Sequence, residues 1–122
     1  MTSVATALNT FFNSFDIPAY TADTVPDDVV APYIAYKVSE PEAFEKASGY
    51  AQVWYRTKSN AVVFAKSDAI VAAIGFSKQI DLANGGHLVI YPETPVTQLM
   101  VNGDYRAAVV NFSINAYHMP GT

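Results

Sequence analysis

The side chains in this 122-residue chain that could do covalent or acid–base chemistry are few and scattered. There is no cysteine, which removes disulfides, thiolate zinc sites, CxxC redox chemistry and cysteine nucleophiles. The two histidines, His87 and His118, stand at the ends of strand-like runs, without a second histidine or a carboxylate at ligand spacing. A metal centre needs three or four converging donors, so both read as ordinary strand-end histidines, and neither metal nor cofactor is expected. GxSxG, Walker A, GxGxxG and HExxH patterns do not occur. Gly85-Gly86 is too short and isolated for a phosphate cradle and reads as a turn. Asp27-Asp28 offers two carboxylates, but an acid–base pair needs an environment that drives the two pKa values apart. Adjacent residues in a loop point different ways, so a solvated acidic loop is the simpler reading. Tyr50, Trp54 and Tyr55 look like a platform for stacking bases. Such a platform needs cationic neighbours, and Arg56 and Lys58 are the two at hand, which favours core or subunit interface.

Composition narrows the classes further. Apolar residues make up 51% of the chain and charged residues 15%, well below the roughly 25% of an average soluble domain. That is too apolar for disorder and too interrupted for a membrane span. The length suits one domain spanning 1–122. Low charge beside 8 Tyr, 7 Phe and 1 Trp suggests that a partner covers some surface. The net charge of −4 does not attract nucleic acid. Seven of the eleven carboxylates fall in residues 1–56, mostly in loop-like stretches, and no basic n-region precedes an apolar run, so no secretion signal is expected.

The elements that must position these residues follow from periodicity. Val4, Leu8, Phe11, Phe12 and Phe15 recur at helical spacing after a capping Ser3, and Pro18 ends the run. Residues 16–32 hold three prolines and four aspartates and read as an ordered loop. Alternation over Tyr33–Val38 and Gly49–Thr57 predicts two strands, joined by a long connection through Glu40, Glu42, Phe44 and Glu45. Ser59 is placed to cap a second helix whose inner stripe is Val63, Phe64, Ser67, Ile70, Val71 and Ile74, with Gly75 as its stop. A third strand is expected at His87–Tyr91, after a Phe76–Asn84 connector with room for a short strand at Lys78–Leu82; Pro92–Pro95 interrupts it, and the short run Val96–Val101 could pair onward. Asn102-Gly103 marks a tight hairpin into the last strand, whose Asn111, Ser113 and Asn115 lie opposite an apolar face. The expected fold is α+β: an antiparallel sheet of four to five strands with two helices packed on one face. The expected order is helix-strand-strand-helix-strand-strand, with a further strand possible at the end.

In this order of elements, and in several local phrases, the chain resembles the tail terminator (tail-completion, minor capsid) proteins of long-tailed bacteriophages. The resembling residues are Val25-Pro26 leading into Pro32-Tyr33-Ile34-Ala35-Tyr36, the aromatic strand Val53-Trp54-Tyr55-Arg56, the helix Ala61–Gly75, and the closing hairpin through Arg106–Ile114. The resemblance covers nearly the whole chain as order and length. It implies a structural virion protein, assembled in the host cytoplasm and placed at the head-proximal end of the tail. A homo-oligomeric, hexameric ring would end tail-tube polymerisation and present a surface to the head–tail connector or neck protein. DNA would pass through without specific binding, and neither membrane nor catalytic residue is implied.

Two expectations about sites follow. The acidic residues Glu40, Glu42 and Glu45, or else Asp27 and Asp28, would line the channel or an end face of the ring, with Phe44 anchored on a neighbour. Carboxylates there would repel phosphate and let the genome slide. The polar face of the last strand (Asn111, Ser113, Asn115), together with Tyr50 and Trp54, would meet the next subunit, and Ser113→Arg would block assembly without much loss of stability. The competing readings are another neck or tail-tube ring component, and a small intracellular α+β domain that binds a ligand or protein in a concave apolar pocket. An enzyme using His87 or His118 as general base comes third.

Overall fold

The computed structural model describes residues 4–38, 46–82 and 85–117. Ser3, Glu40, Glu42, Phe44, Glu45 and His118 lie outside the described residues. Helix α1 (Val4–Phe12) buries Val4, Ala7, Leu8, Phe11 and Phe12, the three- and four-residue spacing of one helical face. A 3₁₀ turn over Asn13–Phe15 follows, and Asp16 closes it at φ 68°, a left-handed conformation that aspartate tolerates better than most residues.

Six strands follow: β1 (Ala19–Thr21), β2 (Tyr33–Val38), β3 (Lys46–Arg56), β4 (Lys78–Asp81), β5 (His87–Asn102) and β6 (Tyr105–Tyr117), with helix α2 (Asn60–Ile74) between β3 and β4. They form one sheet in the order β1-β2-β3-β6-β5-β4. The α+β class stands, but the expectation of a purely antiparallel sheet of four to five strands does not. The sheet has six strands and is mixed, because β1 runs parallel to β2.

Each departure has a local cause. β1 lies inside the proline- and aspartate-rich stretch read as a loop; three residues are too few to show alternation, and side-chain bonds hold the strand in place. Asn13 Oδ1 accepts from the Ala19 N–H at 3.0 Å, and Asn13 Nδ2 donates to the Ala19 carbonyl at 3.3 Å. β5 is one strand of 16 residues where a break was expected. Its register against β6 jumps between Pro92 and Thr97, so Glu93–Val96 form a wide bulge against Asn111. Ser59 makes no side-chain cap at α2; its own N–H donates to Thr57 Oγ1 instead.

The core lies between the two helices and one face of the sheet. Leu8 and Phe12 of α1 and Ile70 and Ile74 of α2 join one buried cluster with Ile34, Val53, Ile90, Val110, Phe112 and Ile114. The Phe12 ring stacks on Tyr36 (centroids 4.7 Å apart) and tilts against Phe112 (5.6 Å). Gly49, opposite both Val38 and Phe112 in the strand registers, makes this possible. A Cβ there would stand 2.5 Å from the Lys37 carbonyl oxygen, 2.9 Å from Val38 Cβ and 3.1 Å from Phe112 Cε2. Gly49→Ala is therefore expected to destabilise the chain by about 1–3 kcal/mol, the usual cost of overpacking, read as a lower urea midpoint with an unchanged slope.

Candidate functional site

The histidine chemistry can be placed first. Register sets His87 opposite Asp81 across β4 and β5, and the imidazole lies 5.0 Å from the Tyr117 ring. Asp81 Oδ1 accepts from Gln79 Nε2. No group of three or more His, Asp or Glu residues gathers among the described residues. No helix among them is long and apolar enough to cross a membrane. Asp27 and Asp28 are both exposed in the loop between β1 and β2.

Five of the residues expected at an interface come together on the sheet face opposite the helices. Tyr50 pairs with Asn111 and Trp54 with Ala107 across β3 and β6, and Ser113 and Asn115 continue the same face of β6. Because β6 lies inside the sheet between β3 and β5, its outward side chains are flanked on both sides. Ala107 and Val109 leave a shallow furrow along β6 that longer side chains bridge. Trp54 Nε1 donates to Gln52 Oε1 at 3.1 Å, and Gln52 Nε2 reaches Met100 Sδ at 3.8 Å, so a polar relay runs from β3 to β5 over β6. The bridge covers Ala107 and Val109, which are both buried.

The amide residues have intramolecular tasks. Asn111 Nδ2 donates to the Pro95 carbonyl at 2.7 Å and to Gln98 Oε1 at 3.1 Å, pinning the β5 bulge onto the sheet. Asn115 Nδ2 donates to the Tyr117 hydroxyl. Ser113 is 0% exposed, and neither its Oγ nor Asn115 Oδ1 finds a hydrogen-bond partner. Ser113, at the centre of that face, is thus already covered within the subunit, and Ser113→Arg is not the clean assembly probe the sequence suggested. It would bury a charge. Ser113→Arg is expected to destabilise the isolated chain by about 3 kcal/mol or more, while Ser113→Ala removes an unsatisfied hydroxyl and leaves stability level or higher. Thermal melts of the two variants check this.

Open surface lies beside this centre. Leu99, Met100, Val101 and Tyr105 are exposed around the β5–β6 hairpin, with Tyr33 and Trp54 half-buried nearby on the outer face. Burial and the neighbouring Tyr105 raise the Tyr33 phenol above its ordinary pKa. The sequence reading missed Gln52, Met100 and Tyr105, although an uncharged apolar run at Val96–Val101 was the available signal. A cleft of about 550 Å3 opens beside α1 and the end of β2, lined among others by Val4, Leu8, Thr21, Tyr36, Val38 and Tyr50.

Three phenols shift together: burial raises Tyr36 and Tyr55 as well as Tyr33, and Tyr36 also donates to Asn9 Oδ1 at 3.1 Å. The unfolded chain releases these protons near the ordinary 10.0, before the folded chain does. Stability is thus intact below about pH 10 and falls as pH rises through the raised folded values. Tyr36→Phe should flatten that alkaline decline, measured as unfolding free energy against pH. Compared with protein-family models, with curated proteins and with solved structures, the chain matches none.

Proposed function

We propose that this chain is a structural subunit that assembles with copies of itself, as the tail terminator of a long-tailed phage would. Its ring would end the tail tube and receive the neck protein. The observation that carries the reading is the helix-free sheet face. Trp54, Gln52 and Met100 there bridge a furrow of small residues, and uncharged apolar side chains continue onto the exposed hairpin. Interface centres are depleted in charge and enriched in aromatics and methionine, and this face has that composition. Element order and length, as resembled, supply the specific role. In this reading Asp27 and Asp28, exposed and without a neighbouring base in sequence, belong to a channel or end face, where they keep DNA from adhering. The protein's place is the virion, and catalysis is no part of its task.

A second reading has one observation behind it. The cleft beside α1 lies within the roughly 300–1,000 Å3 of small-molecule sites, and its lining mixes apolar side chains with Thr21, Asp23 and Lys37. A ligand-binding domain would use it.

Native mass spectrometry separates the two. A ring of six 13.2 kDa subunits weighs about 79 kDa, and that species is expected alone or on added tail tubes. Tyr105→Lys, at an exposed position beside this face, should abolish it while the monomer's thermal melt changes little. A chain that never exceeds two subunits, is not recruited by tubes and saturates with a small ligand at the cleft would overturn the ring.

A further inference from the structure

The edges of the sheet are protected unequally. On the β1 side, most of the outward backbone groups are already occupied. Asn13 takes both the N–H and the carbonyl of Ala19, and the Thr21 carbonyl accepts from the Thr24 N–H at 2.9 Å and from Thr24 Oγ1 at 3.1 Å. On the other side, β4 is four residues long and carries Lys78 and Asp81, the short charged strand with which proteins commonly blunt an edge. But β4 covers only His87–Ile90 of β5. Beyond the bulge, Thr97–Asn102 pair with β6 on one side and with no other strand among the described residues.

Past the bulge, that uncovered stretch carries no blunting residue of its own. Thr97-Gln98-Leu99-Met100-Val101-Asn102 holds no charge, no proline and no glycine. Leu99, Met100 and Val101 are 37, 41 and 56% exposed. Successive side chains alternate between faces, so Leu99 and Val101 leave one face of this edge apolar and Met100 the other. Unpaired backbone donors and acceptors specify the occupant's chemistry: another extended strand.

We propose that this strand is the same segment of a second copy, paired antiparallel across a twofold axis. Three observations favour the copy. The other edge of the sheet is capped, so a head-to-tail pairing of edges has no receiving strand. A strand facing its own duplicate sets like beside like, which repels where charges lie and is harmless for an uncharged run. Directly opposed residues in an antiparallel pair share one backbone orientation, so opposed positions differ by an even number. The register that pairs most of Thr97–Asn102 then puts the axis at Leu99 or at Met100. Six residues a side fall well short of the roughly 20–30 of a standard stable interface, so the dimer is weak and forms with rising concentration. It uses the edge and not the furrowed face, and it stands whether or not the ring reading does.

The chain's lack of cysteine provides the test. Near a twofold axis a residue meets its own copy, which a head-to-tail contact does not allow. Under mild oxidation, Leu99→Cys, Met100→Cys or both should give a covalent dimer, whereas Ala69→Cys on the exposed side of α2 should not. Sedimentation of the parent chain should show dimer growing with concentration. Val101→Lys should abolish that dimer and leave the melting temperature unchanged. Failure of both cysteine variants to cross-link overturns the proposal, as does a dimer that survives Val101→Lys. Loss of a six-subunit species in Val101→Lys, without self-cross-linking, would assign the edge to the ring seam and overturn the twofold pairing.

Discussion

The missing side chain at Gly49 is the constraint on which the rest of the fold depends. At that point β2, β3 and β6 come together beneath an aromatic ring, and a Cβ would collide with the Lys37 carbonyl before any helix had docked. With the space open, Phe112 lies down on β3, Phe12 packs against it, and Tyr36 stacks on Phe12 from β2. Helix α1 is thereby fixed over the β2–β3–β6 side of the sheet, and Phe11 and Phe15 extend the edge-to-face contacts along the helix into the turn after it. The turn presents Asn13, which holds β1. One glycine thus links the centre of the sheet to its edge. Lys66 ties the second helix into the same arrangement, donating from Nζ to the Phe15 carbonyl at 2.9 Å.

The outer face follows from the same chain register. Because Val110, Phe112, Ile114 and Ala116 must face the helices, Ala107, Val109, Asn111, Ser113 and Asn115 must face away. Small side chains there do not leave β6 open to solvent. The relay from Trp54 through Gln52 to Met100 spans it, and Asn111 draws the β5 bulge over it. The centre of the face, around Gln52, Trp54, Ala107, Val109 and Met100, holds no charge, Lys37 and Arg56 stand at its rim, and its amide and indole N–H groups are engaged within the subunit. A partner would meet aromatic rims and aliphatic edges more than free hydrogen-bonding groups. An interface of this kind gains from apolar burial and shape.

Much of this was legible in the sequence, and the limits have physical causes. Alternation placed Tyr50 and Trp54 on one side of β3 and Asn111, Ser113 and Asn115 on one side of β6, since a period of two is a local property. What those residues touch is not local. The burial of Ser113 depends on neighbouring strands, and the capture of Pro95 by Asn111 depends on a bulge whose prolines read as a break. β1 was missed because three residues carry no periodicity; parallel pairing with β2 and the bonds from Asn13 define it. Glu40, Glu42, Phe44 and Glu45 lie outside the described residues, so the acidic-loop expectation rests on Asp27 and Asp28, which are exposed on the β1 side.

Charge and capping together give the molecule a polarity. The acidic β1–β2 loop adjoins an edge closed by Asn13 and Thr24, while Arg106 pairs with Val101 beside the uncovered run of β5. Arg56 approaches Asp104 at 3.9 Å with both side chains largely exposed, a contact worth little to stability. Arg106 donates to Asn60 Oδ1 at the start of α2, tethering the hairpin to the helix. A hairpin that only completed the core would not need a six-residue uncharged edge, with three exposed apolar side chains, beyond β4's cover. Since exposed apolar edges invite aggregation, a soluble chain benefits from losing one. The same edge is useful to a subunit that must find other chains, and its weakness alone would keep those contacts reversible until a larger surface, such as the furrowed face, is engaged.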